Sequence, residues 1–291
     1  MSVLILLNPM AGARRNRDAI AREVVSLFPP GEAELVVPGS KDDMHRRAQE
    51  AASAGISLVV AIGGDGTVHE VASALTGSST TLGVVPLGSG NGFARGLGID
   101  AAPPQAMKVL SHGEDVAIDV GMVNGRPFFS VSGIGFDAVV GEEFNRTGVR
   151  GFLPYLGIAA WESLQYKPVE VHLKMDDREL VTQVFLVAVA NVNQYGGGAR
   201  IAPRADPADG LLDVVVIRNL SALEFLFHAP KLFDGTLEDL SRLETLRSRA
   251  FRLVRTQSGP MHLDGEPVRM GHVLDYSIRP GALKVRMPRK P

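Results

Sequence analysis

The chain contains no cysteine, which excludes disulfide staples and thiolate metal sites together. It has little net charge, −2 over 291 residues, so there is no electrostatic case for a nucleic-acid partner. No apolar run reaches the roughly 18 residues that a membrane-spanning helix needs. The first run, Val3-Leu4-Ile5-Leu6-Leu7, has no basic segment before it, and Arg14, Arg15 and Arg17 follow it. That order is wrong for a secretory signal. The expectation is a soluble, cytoplasmic protein whose dealings with membranes are peripheral and transient, at the inner membrane surface. No internal repeat or low-complexity tract occurs, and no two histidines stand at metal-ligand spacing.

Familiar phosphate fingerprints are also missing. Without a Gly-Lys dipeptide there is no Walker A loop. No G-x-G-x-x-G opens a helix after a strand, as a dinucleotide site would require. The His-Arg-Asp of protein kinases is absent too. Hydrophobic residues at 45% and charged residues at 21% are ordinary for a globular protein, and the length suits two domains. Arg outnumbers Lys, which suits bidentate contacts to phosphate or carboxylate.

In the first third, apolar runs at 3–8, 33–38, 58–64 and 81–88 alternate with helical patterns. Helices are expected from about Asp18 to Phe28, from Lys41 to Ala54 with Ser40 as N-cap, from near Gly66, and briefly after Gly92. Continuous Val/Leu/Ile strands alternating with helices imply a parallel sheet covered on both faces. The loops NPMAG, GGDGT and PLGSGNG each follow a strand, so they should gather on one sheet edge, where such sheets bind ligands. After about Glu114 the texture changes. A hairpin turns at Asn124-Gly125, and strands are expected at 168–175, 180–190, 211–218, 248–256 and 273–279, mostly without long helices between them. Gly151 to Tyr166 reads as helix, with Phe152, Leu153, Leu156, Ala159 and Ala160 on one apolar face. It serves as a core helix or as part of an acyl-chain groove. The fold class is therefore α/β: a parallel-sheet nucleotide-binding domain over 1–115, rejoined by a strand at about 280–291, and a mainly antiparallel, sandwich-like β-rich domain over 116–279.

Gly63-Gly64-Asp65-Gly66-Thr67 raises the chemical question. Each glycine there gives up more chain entropy on folding than another residue would. At a strand–helix junction, such glycines let backbone N–H groups and a helix N-terminus face an anion. Asp65 would repel a bare phosphate, so its presence fits a bridging cation such as Mg2+; a tight turn with Asp65 as helix cap accounts for the loop equally well. Asp119, inside the apolar AIDVG, needs a partner or a raised pKa. Glu266, between Gly265 and Pro267, reads by itself as a solvated loop carboxylate. His69 reads as a cap or packing residue, and His45 and His262 as surface residues.

Taken in order, Asn8-Pro9-Met10-Ala11-Gly12, Gly63-Gly64-Asp65-Gly66-Thr67 with Glu70, Pro86-Leu87-Gly88-Ser89-Gly90-Asn91-Gly92-Phe93-Ala94, Asp209-Gly210-Leu211-Leu212-Asp213 and Leu263-Asp264-Gly265-Glu266 resemble the diacylglycerol kinase catalytic domain family, in its bacterial soluble (YegS-like) and sphingosine-kinase-like forms. The resemblance runs nearly the full length. It implies ATP and Mg2+ as cofactors, a cleft between the two domains, and phosphoryl transfer to the hydroxyl of diacylglycerol or a related lipid alcohol at a membrane surface. It places Asn8, Pro9, Gly12, Ser40, Gly63, Gly64, Asp65, Gly66, Thr67, Glu70, Gly88, Ser89, Gly90 and Asn91 at the nucleotide. Glu266 becomes the base, supported by Asp264, and Asp65 joins the Mg2+ and water network with Asp119. Asp206, Asp209 and Leu211 match a structural Mg2+ site. His69 stands where the family usually has Asn, and Gly92 where bacterial members have Asp, closer to the sphingosine-kinase variant. The alternatives are a sphingoid or ceramide kinase, an NAD kinase, or a nucleotide-binding regulatory module without catalysis. Homodimerisation is a further expectation.

Overall fold

The computed structural model describes residues 2–12, 14–147, 152–163, 165–176, 178–218 and 220–289. Two compact units emerge, the first made of Met1–Val120 and Pro280–Pro291, the second of Gly121–Arg279.

The first unit opens with β1 (Val3–Leu7), α1 (Arg14–Ser26), β2 (Ala33–Val36), α2 (Lys41–Ser53), β3 (Leu58–Gly63), α3 (Asp65–Leu75) and β4 (Thr81–Pro86). It continues with α4 (Gly92–Gly96), α5 (Pro103–His112) and the start of β5 (Glu114–Val123). Strands β4, β3, β1 and β2 lie side by side and parallel. Every residue of β1, β3 and β4 is buried, which is why these strands read as unbroken apolar runs. Val3, Ile5, Leu7, Leu58, Val60 and Ile62 pack with Ala21 and Val24 of α1 and Met107 and Leu110 of α5. Alternate strand residues point the other way, to the face on which α3 packs against β3 and β4.

The second unit takes over within β5 and holds β6 (Arg126–Phe128), β7 (Val131–Gly135), α6 (Phe136–Thr147), α7 (Phe152–Glu162), β8 (Val169–Lys174) and β9 (Glu179–Ala190). Next come β10 (Gln194–Gly196), β11 (Ala199–Arg200), β12 (Leu212–Arg218), α8 (Ala222–His228) and α9 (Lys231–Asp234). Last are β13 (Leu243–Ser248), β14 (Ala250–Arg255), β15 (Gly259–Leu263), β16 (Glu266–Met270) and β17 (Val273–Met287), which re-enters the first unit at Pro280. The order β16-β15-β7-β9-β8-β14 is antiparallel throughout, and β12 joins at β9 with β13 beyond it. Leu212, Val214 and Val216 enter one core cluster, Val215 and Ile217 the other. Strand β12 is thus covered on both faces, which explains its apolar run Val214-Val215-Val216-Ile217.

Several expectations need correction. Helix α1 starts at Arg14 rather than Asp18, directly after the turn at Gly12, whose φ is +59°. Helices α5 and α6 were not anticipated. The stretch 248–256 is split, with β13 and β14 on either side of Arg249. The helical segment at 151–166 is α7, but Gly151 and the side chains of residues 152–156 lie outside the described residues. Ala159 is buried in the core and Trp161 is 64% exposed. Asn124 and Gly125 both have positive φ, as a type I′ turn demands.

Candidate functional site

Three loops gather in the first unit, following β1, β3 and β4. Asn8 leaves β1 with its backbone N–H donating to Ile62 O at 3.0 Å, and its side-chain amide donates to Thr67 Oγ1 at 2.7 Å. Met10 N closes the turn on Asn8 Oδ1 at 2.8 Å, while Pro9 O accepts from Arg17. Leu87 N donates to Gly63 O at 2.8 Å, tying the loop after β4 to the end of β3.

The glycines have separate reasons. A Cβ on Gly63 would lie 2.3 Å from Thr67 Oγ1, so Gly63 makes room for the hydroxyl that Asn8 holds. A Cβ on Gly64 would be 3.1 Å from Gly88 Cα, and one on Gly88 2.7 Å from Gly64 Cα. These two glycines let the second and third loops meet backbone to backbone. Asn91 then spends both polar atoms on Gly88: its Oδ1 accepts from Gly88 N at 2.9 Å and its Nδ2 donates to Gly88 O at 2.8 Å. It does so buried and at φ +50°. Asn91 therefore shapes the loop from within, and Ser89 and Gly90 sit on the turn it closes.

Asp65 does not cap its own helix. The N-cap of α3 is Gly64, with no side-chain cap bond. Asp65 Oδ1 instead accepts from Phe93 N at 3.3 Å, and a Cβ on Gly90 would come within 3.2 Å of Asp65 Oδ2. The first-turn amides of a helix have no intrahelical acceptor, so an uncapped N-terminus between glycine loops can receive a phosphate. One carboxylate at its rim suits Mg2+ that arrives with phosphate oxygens and water as its other ligands. Among the described residues, no group of three or more His, Asp or Glu could hold a metal by itself.

Other expected residues have partners of their own. Ser40 caps α2, its hydroxyl accepting from Asp43 N at 3.1 Å. Glu70 faces His45 at 3.7 Å. Asp119, 3% exposed, accepts from Gly281 N at 2.7 Å within the first unit. In the second unit, Asp206 Oδ1 accepts from Ala208 N and Asp209 Oδ1 from Leu211 N, both at 3.0 Å. The guanidinium of Arg247 lies against Asp209 Oδ2. Burial pushes the nearby Asp213 carboxyl up, and Arg247 acts against that.

Asp264 and Glu266 belong to the second unit. Asp264 and Gly265, at φ +52° and +83°, form the two-residue turn between β15 and β16. This is the Asp-Gly type I′ signal, and it replaces the solvated loop expected around Glu266. Both carboxylate oxygens of Asp264 accept from Phe129 N at 3.0 Å, and Oδ1 also takes Ser130 N at 2.6 Å. Asp264 N donates to Val131 O at 2.9 Å. The turn is clamped, and Glu266 is the first residue after it, half-buried on β16.

His262, expected at the surface, is 4% exposed on β15. Its Nε2 lies 3.1 Å from Asp137 Oδ2, which also accepts from Tyr195 Oη at 2.8 Å. Asp137 was not singled out in the sequence. The available signal was the Gly133-Ile134-Gly135 pair just before it.

Comparisons with known proteins identify the family. The pattern of the diacylglycerol kinase catalytic domain matches residues 2–123, and that of the YegS C-terminal NAD kinase beta sandwich-like domain matches residues 130–287. A Chromohalobacter salexigens protein named "Probable lipid kinase YegS-like" is 32% identical over 252 residues, covering 84% of this chain and 80% of its own. A Mycobacterium tuberculosis protein named "Diacylglycerol kinase" is 29% identical over 296 residues, covering 99% and 95%. A crystal structure of a diacylglycerol kinase from Bacillus anthracis shares the fold, with TM-score 0.77 at 21% identity over 98% of this chain and 96% of that one. Two family patterns in tandem and relatives covering the chain end to end lead to one statement: this chain belongs to the diacylglycerol kinase and YegS-like family of lipid kinases.

Proposed function

We propose that the protein transfers the γ-phosphoryl group of ATP to the hydroxyl of diacylglycerol or a related lipid alcohol, with Mg2+, at a membrane surface. The observation that carries this reading is the uncapped N-terminus of α3 at Gly64-Asp65, held between the Asn8 loop and the Gly88–Asn91 loop. Phosphoryl transfer asks chiefly for positioning and charge neutralisation. The glycine loops and the helix terminus take the nucleotide phosphates, and Asp65 faces the cation. Bound with the nucleotide, Mg2+ neutralises charge on the phosphate oxygens. The acceptor oxygen forms a bond to the γ-phosphorus as the bond to the β-bridging oxygen breaks. The hydroxyl proton passes to the carboxylate of Glu266, and ADP leaves with the former bridging oxygen.

Membrane contact accords with two facts. No helix of the described residues is long and apolar enough to cross a bilayer. Among the described residues the exposed large aromatics Trp161, Phe227 and Phe233 lie on α7, α8 and α9, and aromatic rings favour the bilayer interface. Glu266→Gln tests the base assignment. It should keep nucleotide affinity and lose about 10²–10⁴-fold in kcat, the usual span for a positioned base. Turnover at the wild-type level would remove Glu266 from that role.

A further inference from the structure

The second unit buries a polar cluster that the phosphoryl transfer itself does not use. Asp137 stands in the first turn of α6, and its side chain is 10% exposed; that of His262 is 5% exposed. Asp137 Oδ2 accepts from Tyr195 Oη at 2.8 Å and faces His262 Nε2 at 3.1 Å. A carboxylate oxygen can only accept, so the proton of the imidazole bond sits on Nε2. The Tyr195 ring meets the imidazole edge to face, with centroids 5.7 Å apart. The backbone is built to admit this contact. A Cβ on Gly133 would fall 2.4 Å from Asp137 Oδ2 and 2.5 Å from His262 Nε2, so the two groups meet through the space that Gly133 leaves. Gly135, at φ +109° and with no room for a Cβ beside Phe185 O, turns the chain from β7 into α6 and brings Asp137 back over the strand.

The place of His262 gives the cluster its meaning. In the β15–β16 ladder His262 pairs with Pro267 and Leu263 with Glu266; on the other edge of β15, His262 pairs with Gly133. The hairpin that carries Asp264 and Glu266 is thus fixed at two points. Asp264 clamps its tip to the amides of Phe129 and Ser130, and His262 ties its stem to α6.

We propose that Asp137, His262 and Tyr195 act as a positioning network that sets the β15–β16 hairpin, and with it Glu266, for proton transfer. The proposal rests on Glu266 being the proton acceptor. Its signature is a loss in kcat with the lipid KM and nucleotide Kd unchanged, as expected of groups that act only through the placement of Glu266. A displacement of about 1 Å at a reacting group can cost about 10²-fold.

The test compares His262→Leu, His262→Gln, Tyr195→Phe and Gly133→Ala with Glu266→Gln in one lipid-phosphorylation assay, with nucleotide Kd measured separately. His262→Leu removes the donor and should lower kcat about 10- to 100-fold. His262→Gln restores a donor near the Nε2 position and should recover most of that loss. Gly133→Ala keeps every donor but pushes the pair apart, and should resemble His262→Leu. Tyr195→Phe deletes one hydroxyl without changing shape, so it carries the test if the larger changes prevent folding. Wild-type kcat in Tyr195→Phe and His262→Leu, or kcat, KM and Kd all worsening together, overturns the network while Glu266→Gln remains inactive. An active Glu266→Gln overturns instead the base assignment beneath it.

Discussion

Gly88→Ala is the sharpest perturbation of the nucleotide loops. The new Cβ would lie 2.7 Å from Gly64 Cα and 2.7 Å from Asn91 Oδ1, about 0.8 Å short of the ~3.5 Å at which carbon atoms rest. Gly64 Cα is backbone at the start of α3 and cannot rotate away, so the second and third loops must part. Asn91 can swing, but only by giving up its two bonds to Gly88, each worth about 1 kcal/mol. Overpacking of this kind costs about 1–3 kcal/mol, a tolerable loss for the fold. The helix N-terminus, however, loses its register with the loop beside it. ATP affinity by titration calorimetry should fall by about 10-fold or more, and turnover by about 10²-fold, while thermal unfolding shifts by only a few degrees. Gly141→Ala is the control: it lies in α6 with open space around it and should leave activity intact, with up to about 1 kcal/mol of added stability. A Gly88→Ala protein that binds ATP and turns over like the wild type would refute the reasoning about loop contact.

Three further predictions follow from other parts of the chain. Asp65→Asn should raise the Mg2+ concentration needed for half-maximal rate several-fold, and identical Mg2+ titrations would remove its role. Replacing both Trp161 and Phe227 with Ser should weaken sedimentation with lipid vesicles and slow turnover on vesicles, while ATP affinity is kept; unchanged vesicle binding would exclude that surface. Asp115 accepts from Arg286 Nε at 2.7 Å and from Thr81 Oγ1 at 2.9 Å, and the Arg286 hydrogen bond holds its carboxyl below the ordinary range. A lowered folded-state pKa gives stability that is present above about pH 4, the unfolded value, and lost as pH falls through the folded one. Asp115→Asn should therefore flatten the acid side of the stability profile and cost about 1 kcal/mol at neutral pH, discounted for a pair one-third exposed; an unchanged slope in urea titrations below pH 4 would contradict this.

What the sequence carried and what it withheld have physical causes. The parallel strands were legible because full burial on two faces leaves an unbroken apolar run, and Ser40 because its cap is local, three residues from Asp43. The clustering of the three loops followed from the strand–helix alternation. The reasons for Gly64 and Gly88 did not, since they depend on an approach between two loops 24 residues apart, nor did that for Gly63, which makes room for the Thr67 side chain that the distant Asn8 holds. Helix α5 was in fact signalled by Pro103 and Pro104 followed by Ala106, Met107 and Leu110 at helical spacing. Missing α6 led directly to misplacing His262. Met261 and Leu263 face the core, so alternation sends His262 to the opposite face, which α6 with Asp137, together with Tyr195, makes buried. Asp264-Gly265 carried the hairpin signal in two residues, but the five-residue strands beside it were too short to make it stand out.

The most direct measurement is transfer of labelled γ-phosphate from ATP to lipids in mixed micelles, with Mg2+ and with chelator. The panel holds diacylglycerol, monoacylglycerol, ceramide, sphingosine and undecaprenol, with NAD as control. Chelator-sensitive label in diacylglycerol or a related lipid alcohol is the predicted result. ATP bound but no lipid labelled, or label appearing in NAD alone, would contradict the account.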